Sequence, residues 1–151
     1  MGRFLDLRIS ENSSLFGFPD IAVSTTPELI GVIGLQTQNV AGTGTNGLIV
    51  HLSGTVGVTA DAVGTVVLNV QRGATTVFGG GDIIYTAVAG VVTTLTGADV
   101  ISFTASDINA PAAAQTEYTL FISVPTTEAI VTRVGPENFV GIAQDGLAST
   151  P

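Results

Sequence analysis

The sequence predicts an all-β protein: an antiparallel β-sandwich of the jelly-roll type with an extended N-terminal arm. Three observations lead to this prediction. From Glu28 onward, short segments rich in Val, Ile, Thr and Leu alternate with turns that contain Gly, Asn or Asp. No segment of useful length has helical periodicity. The segments, about nine or ten of them, recur at the spacing that is typical of sandwiches and barrels.

The composition is that of one domain with an unusually uncharged surface. The 151 residues are enough for a core that needs no staple, and cysteine is absent. Charged residues make up only 11% of the chain, and none of them is lysine. An average soluble domain carries roughly a quarter charged residues, so here either Thr, Ser, Asn, Gly and Ala face water or copies of the same chain cover much of the surface. We favour the second alternative.

The charge and the N-terminus exclude several classes of function. A net charge of −8 without any cluster of Arg and Lys argues against a nucleic-acid partner. No apolar run approaches the length of a membrane span, so we expect no membrane insertion. Asp6, Arg8 and Glu11 interrupt any signal-peptide core. We therefore expect an extracellular location to follow from release of the producing compartment, as with spores and virions.

Residues 1–27 are predicted to form a connector arm outside the main pattern. In the first strand Leu5, Leu7 and Ile9 are expected to share one face, opposite Phe4, Asp6 and Arg8. A turn-prone polar break then leads to two aromatic residues beside a Gly and a Pro. Such an apolar arm needs a docking site, either on its own sandwich or on a neighbouring copy, and we favour the neighbour. The proposed joining residues are Leu5, Leu7, Ile9, Phe16 and Phe18.

The sandwich is predicted over residues 28–144, followed by a loose tail at 145–151. Gly54 and Gly57 within the longest strand predict a bend or bulge. The predicted core face of that strand and of the next one consists of Leu48, Val50, Leu52, Val56, Val58, Val66, Leu68 and Val70. The predicted strands span residues 28–37, 47–60, 64–72, 75–78, 83–88, 91–96, 100–104, 117–124, 129–134 and 138–144.

No catalytic, cofactor or metal site is expected. His51 is the single histidine, and no Ser, Cys or carboxylate neighbours it in sequence. Asp82, Asp99 and Asp107 lie at strand ends, where carboxylates usually accept backbone N–H groups, and their spacing matches no calcium loop. The glycine runs precede neither a Lys nor a helix, so they are not phosphate loops.

Four stretches resemble the cysteine-poor jelly-roll proteins of the spore surface in Bacillus-like bacteria, which include exosporium proteins and subunits of spore appendage fibres. The stretches are TVVLNVQRGATTVF at 65–78, VISFTASD at 100–107, EYTLFISV at 117–124 and NFVGIA at 138–143. The resemblance implies a self-assembling coat or fibre subunit, built in the mother cell and exposed when that cell lyses. Related subunits are joined by N-terminal connectors with intermolecular disulfides. This chain lacks cysteine, so its joint would be non-covalent.

The sequence therefore leads to a structural subunit whose partners are copies of itself, with an anchoring or tip protein at the end of the assembly. Two other classes share the same features. A viral capsid decoration protein has a similar acidic jelly roll and an extended arm. A trimeric receptor- or carbohydrate-binding module presents loops at one end of a similar sandwich. An enzyme is the least favoured class.

Overall fold

The computed structural model describes residues 3–38, 47–92, 97–108 and 110–145. These residues form nine β-strands in two sheets. The strands are β1 (Arg3–Ser13), β2 (Ile21–Ala22), β3 (Glu28–Leu35), β4 (Leu48–Ala60), β5 (Gly64–Arg72), β6 (Asp82–Val91), β7 (Asp99–Asp107), β8 (Thr116–Ser123) and β9 (Val131–Asp145).

The strand order is that of a jelly roll. One sheet has the order β1-β9-β4-β7, with β2 also pairing with β9, and the other has the order β3-β8-β5-β6. The antiparallel pairs β1 with β9, β3 with β8, β4 with β7 and β5 with β6 are nested within one another along the chain. A long hairpin wound in this way closes two layers, of five and four strands, over one core. The predicted fold class is confirmed.

The boundary of the sandwich differs from the predicted one. Strand β1 is the first strand of the jelly roll and pairs with β9, so residues 3–13 belong to the sandwich in this structure. The sequence sets residues 1–27 apart because they lie outside the repeating pattern, and it does not reveal that the partner of β1 lies at the far end of the chain. Asp145 is the last residue of β9, and the rest of the predicted tail lies outside the described residues. Most of the predicted loop at 39–47 and of the predicted strand at 91–96 also lies outside them.

The core contains the residues that alternation predicted for β4 and β5. All eight of them are buried in one cluster between the sheets. Phe103 of β7 and Phe139 of β9 join this cluster, with their ring centroids 6.4 Å apart. Tyr85 of β6 stacks on Phe103 at 5.6 Å. Alternation predicted this face well because the core-facing positions of both strands, apart from Gly54, are occupied by apolar residues.

The predicted strand at 75–78 is instead part of a loop, residues 73–81, that lies on the outer face of the second sheet. Phe78 packs edge-on against Phe121, with ring centroids 5.6 Å apart. The Gln71 side chain donates to the carbonyl of Val77 at 3.1 Å and accepts the N–H of Gly79 at 2.9 Å. The Gln71 amide thus makes the hydrogen bonds to the loop backbone that a neighbouring strand would otherwise make. The loop covers part of the outer face of the second sheet.

The two strands predicted at 129–134 and 138–144 form the single strand β9 with a bulge. The register between β4 and β9 shifts between Val56 and Val58. Gly135 lies opposite this shift with a φ of 72°, a conformation that favours glycine. A β-carbon at Gly57 would overlap the carbonyl group of Gly135. The predicted irregularity at Gly57 is therefore present, but the extra residues are in the partner strand.

One end of the sandwich is held together by a polar cluster around the buried side chains of Asp107 and Tyr118. Arg72 donates to Asp107 at 2.7 Å and to Asp82 at 2.8 Å, and the Tyr118 hydroxyl donates to Asp107 at 3.0 Å. Burial raises the pKa of Tyr118 well above its ordinary value, and the charge of Asp107 adds to this effect. Burial opposes the charge on Arg72, but the bonds to Asp82 and Asp107 outweigh it and raise the pKa of Arg72. The cluster links both sheets.

Removing the Tyr118 hydroxyl should destabilise the sandwich. Tyr118→Phe takes a donor from the buried carboxylate of Asp107, and loss of a hydrogen bond to a charged group costs about 1.5–3 kcal/mol. Urea unfolding followed by circular dichroism measures this loss. Tyr85→Phe is the matched control because it keeps the ring stack on Phe103. Equal stability of the two variants would show that the bond to Asp107 contributes nothing.

Candidate assembly surface

Strand β1 is an edge strand of its own sheet, paired with β9 from Arg3 opposite Asp145 to Ser13 opposite Glu137. The predicted arm could dock on its own sandwich or on a neighbouring copy. In the structure of this single chain, β1 docks on its own sandwich. A register shift between Phe4 and Asp6 leaves Leu5 as the extra residue of a bulge.

The bulge changes the faces that alternation predicted for β1. Leu5 packs against the core, whereas Leu7 and Ile9 project outward with Phe4. The prediction that Leu5, Leu7 and Ile9 share a face is wrong, because one extra residue reverses every side chain that precedes it. Phe4 is 63% exposed, Leu7 43% and Ile9 61%. They flank Ile142 and Val140, the outward residues of β9.

The inward polar side chains of β1 reach the edge of the second sheet. Asp6 accepts the N–H of Gln36, just beyond β3, at 2.9 Å, and the Ser10 hydroxyl accepts the N–H of Val32 at 3.4 Å. Burial on its own would raise the pKa of Asp6. The hydrogen bonds from Gln36, the Arg8 side chain and the N–H of Leu7 outweigh burial and hold the pKa below its ordinary value.

The end of β1 is tied to a buried ion pair. Arg133 donates twice to Glu137, at 2.8 and 2.7 Å, and both side chains are buried. The Asn12 amide donates to the same carboxylate, and Glu28 lies 3.9 Å from Arg133. Strand β1 therefore contacts β9 and β3 through side chains along most of its length.

The predicted aromatic residues lie in the loop between β1 and β2. Phe16 and Phe18 are each 60% exposed. The N–H groups of Gly17 and Phe18 both donate to the carbonyl of Val134, so the backbone between them is fixed against β9. The structure thus separates the five predicted joining residues: one packs against the core, two lie on the outer face and two lie in this loop.

The outward residues of β1, β9, β4 and β7 form a surface that we call the open sheet face. By register, it extends from Phe4 and Glu11 on β1 to Ser102 and Ser106 on β7. The side nearest β1 is apolar, and the side nearest β7 carries hydroxyl groups. A shallow depression of about 430 Å³ lies in it beside His51.

His51 has a neighbour that sequence reasoning missed. Ser106 lies opposite it in β7, with the Ser106 hydroxyl oxygen 3.2 Å from Nδ1, and the Gln144 amide nitrogen lies 3.1 Å from Nε2. A serine–histidine pair resembles part of a nucleophilic triad. The group on the second ring nitrogen is an amide, however, where such a triad places a carboxylate. Only the register between β4 and β7, which the sequence does not give, brings Ser106 to His51.

The acidic residues at the strand ends have partners within the protein. Asp82 and Asp107 converge on the guanidinium of Arg72, which occupies the position that a cation would take. Asp99 accepts the N–H of Val92 at 2.9 Å, as predicted for a carboxylate at a strand end. Within the described ranges, no group of three or more His, Asp or Glu residues is arranged to hold a metal ion.

Comparison with protein-family models and with curated protein sequences finds no match. Among solved structures, the chain is similar to part of dimeric latent PorU from Porphyromonas gingivalis, with 12% identity and a TM-score of 0.51 over 96% of this chain and 13% of that one. The infectious bursal disease virus Gt strain structure has 12% identity and a TM-score of 0.43 over 95% and 37% of the two chains. The PRD1 vertex protein P5 has 14% identity and a TM-score of 0.38 over 95% and 98%. The PorU comparison supports the fold, and the other two structures are more distant.

In the part of the chain that the structure describes, no helix has the length and apolar character needed to cross a membrane.

The attachment of β1 to β3 should depend on the charge of Asp6. Because the folded-state pKa of Asp6 is lowered, its contribution is present above the unfolded value of about 3.9 and is lost as the pH falls through the lower folded value. Asp6→Asn should therefore be less stable than the parent protein at pH 6, and the difference should shrink towards pH 3. Urea midpoints at the two pH values measure this.

Glu11→Gln is the control for Asp6→Asn, because Glu11 lies on the same strand but projects from the open sheet face. If both variants lost the same stability with the same pH dependence, the bond between Asp6 and Gln36 would have no special role.

Proposed function

We propose that this chain is a structural, self-assembling subunit of an extracellular fibre or surface layer, in which β1 of one copy takes the place of β1 in the next. The main observation behind this proposal is that β1 is an edge strand with exposed apolar residues. Its polar side chains form hydrogen bonds to Gln36, just beyond β3, and to Glu137 of β9. Each of these contacts keeps its chemistry when β1 comes from another copy.

Exchange of an identical strand between copies has a low energetic cost because it replaces contacts with equivalent ones. The chain between β1 and β3, residues 14–27, contains the short strand β2 and the exposed loop with Phe16 and Phe18. When these residues are released from their bonds to β9 and extended, they reach roughly 46 Å. The diameter of a domain of this size is about 35 Å, so the linker is long enough to join neighbouring copies.

A polymer built by strand donation has two unlike ends. At one end an acceptor edge on β9 lacks its strand, and at the other a free β1 has no acceptor. An unpaired edge of this kind invites non-specific pairing unless another protein covers it. This asymmetry supports the proposed anchoring or tip protein. Whether the contacts close into a ring or cage, as in a capsid, or propagate as a fibre depends on the rotation between copies.

We propose that the subunit has no catalytic role and that it lies on the surface of a cell or spore. The amide of Gln144 beside His51 supports the first part, since an amide does not stabilise an imidazolium as a carboxylate does. The low content of charged residues supports a surface that is covered by other copies.

A disulfide between β1 and β9 should report whether strands are exchanged. Glu11 and Asn138 are directly opposite each other, and Cα atoms of such pairs are about 4.5–5.5 Å apart, within disulfide range. The double variant Glu11→Cys, Asn138→Cys is assembled under reducing conditions and then oxidised. We expect covalent ladders on a non-reducing denaturing gel, and filaments or layers by negative-stain electron microscopy.

The matched control is Thr55→Cys, Asn138→Cys, which links β4 to β9 within the sheet and should give a monomer band only. Assemblies of the first variant that yield a monomer band would contradict strand exchange. A chain that stays monomeric at all concentrations would contradict self-assembly itself.

A further inference from the structure

The two sheets are covered to different extents on their outer faces. On the second sheet, loop 73–81 lies over Phe121 and Gln71, which are buried although they point away from the core. Within residues 3–38, 47–92, 97–108 and 110–145, no such loop lies over the open sheet face. His51 and Thr104 near its middle are exposed, as are Phe4 and Ile9 at its edge.

The charges of the molecule are placed away from the open sheet face. The register of β1, β9, β4 and β7 assigns Glu11, at one end of β1, as the only charged outward residue in the described part of this face. Arg8, Asp107 and Asp145 lie on the same strands but on the inward side. In a chain with a net charge of −8, such a segregation leaves one surface on which identical copies meet without repulsion.

The size of this face is close to what a specific contact needs. Four strands about 4.8 Å apart and about eight residues long give a footprint of about 500 Å². A pair of copies would bury about 1,000 Å² in total, which is near the lower limit for a specific interface. Two sheets that pack face to face keep their strands within about 30° of each other, an angle that arises from the twist of each sheet. Two copies of this face can pack in the same way.

The distribution of apolar and hydroxyl side chains on the open sheet face favours one direction of the two-fold axis between two copies. A two-fold axis that runs across the strands places the apolar stripe of Phe4, Leu7 and Ile9 on the same stripe of the second copy. It also places the hydroxyl groups of Ser53 and Thr104 near their equivalents. A two-fold axis parallel to the strands would set the apolar stripe against hydroxyl groups instead.

We infer that the open sheet face is an isologous contact with a second copy of this chain, distinct from the joint made by β1. The contact does not depend on strand exchange, because all its residues are present on one closed sandwich. Together, a two-fold face contact and a head-to-tail joint would connect copies in two directions, as a layer or a paired fibre requires.

The test uses the oxidised Glu11→Cys, Asn138→Cys chain, prepared at low concentration so that β1 is locked on its own sandwich. This chain cannot exchange strands. Its disulfide replaces Glu11 and Asn138 at one end of the face, and the apolar stripe and His51 are unchanged. Sedimentation equilibrium should show a monomer–dimer equilibrium. A monomer up to the millimolar range would overturn the inference, whereas the gel result described above decides strand exchange separately.

A charge at the centre of the face should break the dimer. Adding Ser53→Arg to the locked chain places an unpaired charge in the proposed interface on a central strand, which should weaken dimerisation about thirtyfold or more. Because Arg lowers the net negative charge, general repulsion would not explain the loss. Val88→Arg, on exposed β6 of the other sheet, is the control and should leave dimerisation unchanged.

Circular dichroism spectra and melting curves establish that both Arg variants are folded. A dimer that survives Ser53→Arg, or that is lost equally with Val88→Arg, would overturn the assignment of this face.

Discussion

The pairing of β9 with strands on both of its edges is the interaction on which this sandwich depends. Strand β9 bonds to β4 along one edge and to β1 and β2 along the other. Its bulge at Gly135 requires a glycine at position 57 of β4, and its buried pair of Arg133 and Glu137 receives a bond from Asn12 of β1. Removing one partner of a buried ion pair of this kind costs about 3–5 kcal/mol. The bulge in β9 therefore constrains both β4, through Gly57, and β1, through Asn12.

Much of the fold could be predicted because the core-facing positions of the central strands are apolar at nearly every second residue. The inward residues of β4 and β5, such as Leu52 and Leu68, alternate without interruption, and the structure buries them. The sequence does not predict the bulge at Leu5. Apolar and polar residues still alternate along β1, although the extra residue reverses the face on which the residues before it lie. The sequence predicts a strand for the loop that carries Phe78 because its Thr and Val residues have high strand propensity.

The candidate assembly surface was predictable in composition but not in position. Low charge and apolar residues in β1 indicated a surface that other copies cover. Which residues share that surface depends on register between strands that are far apart in sequence, as with Ser106 and His51. The pairing of β1 with β9 joins opposite ends of the described chain, and local sequence carries little information about such contacts.

The placement of the arginines also bears on how long such a subunit would persist outside a cell. Trypsin-like proteases cleave after Lys or Arg, and the chain has no lysine and four arginines. Arg72 and Arg133 are held in ion pairs within the sandwich, whereas Arg3 and Arg8 are more than half exposed on β1. A folded copy therefore offers such proteases accessible sites only on its edge strand. Covering β1 in an assembly would remove these sites as well.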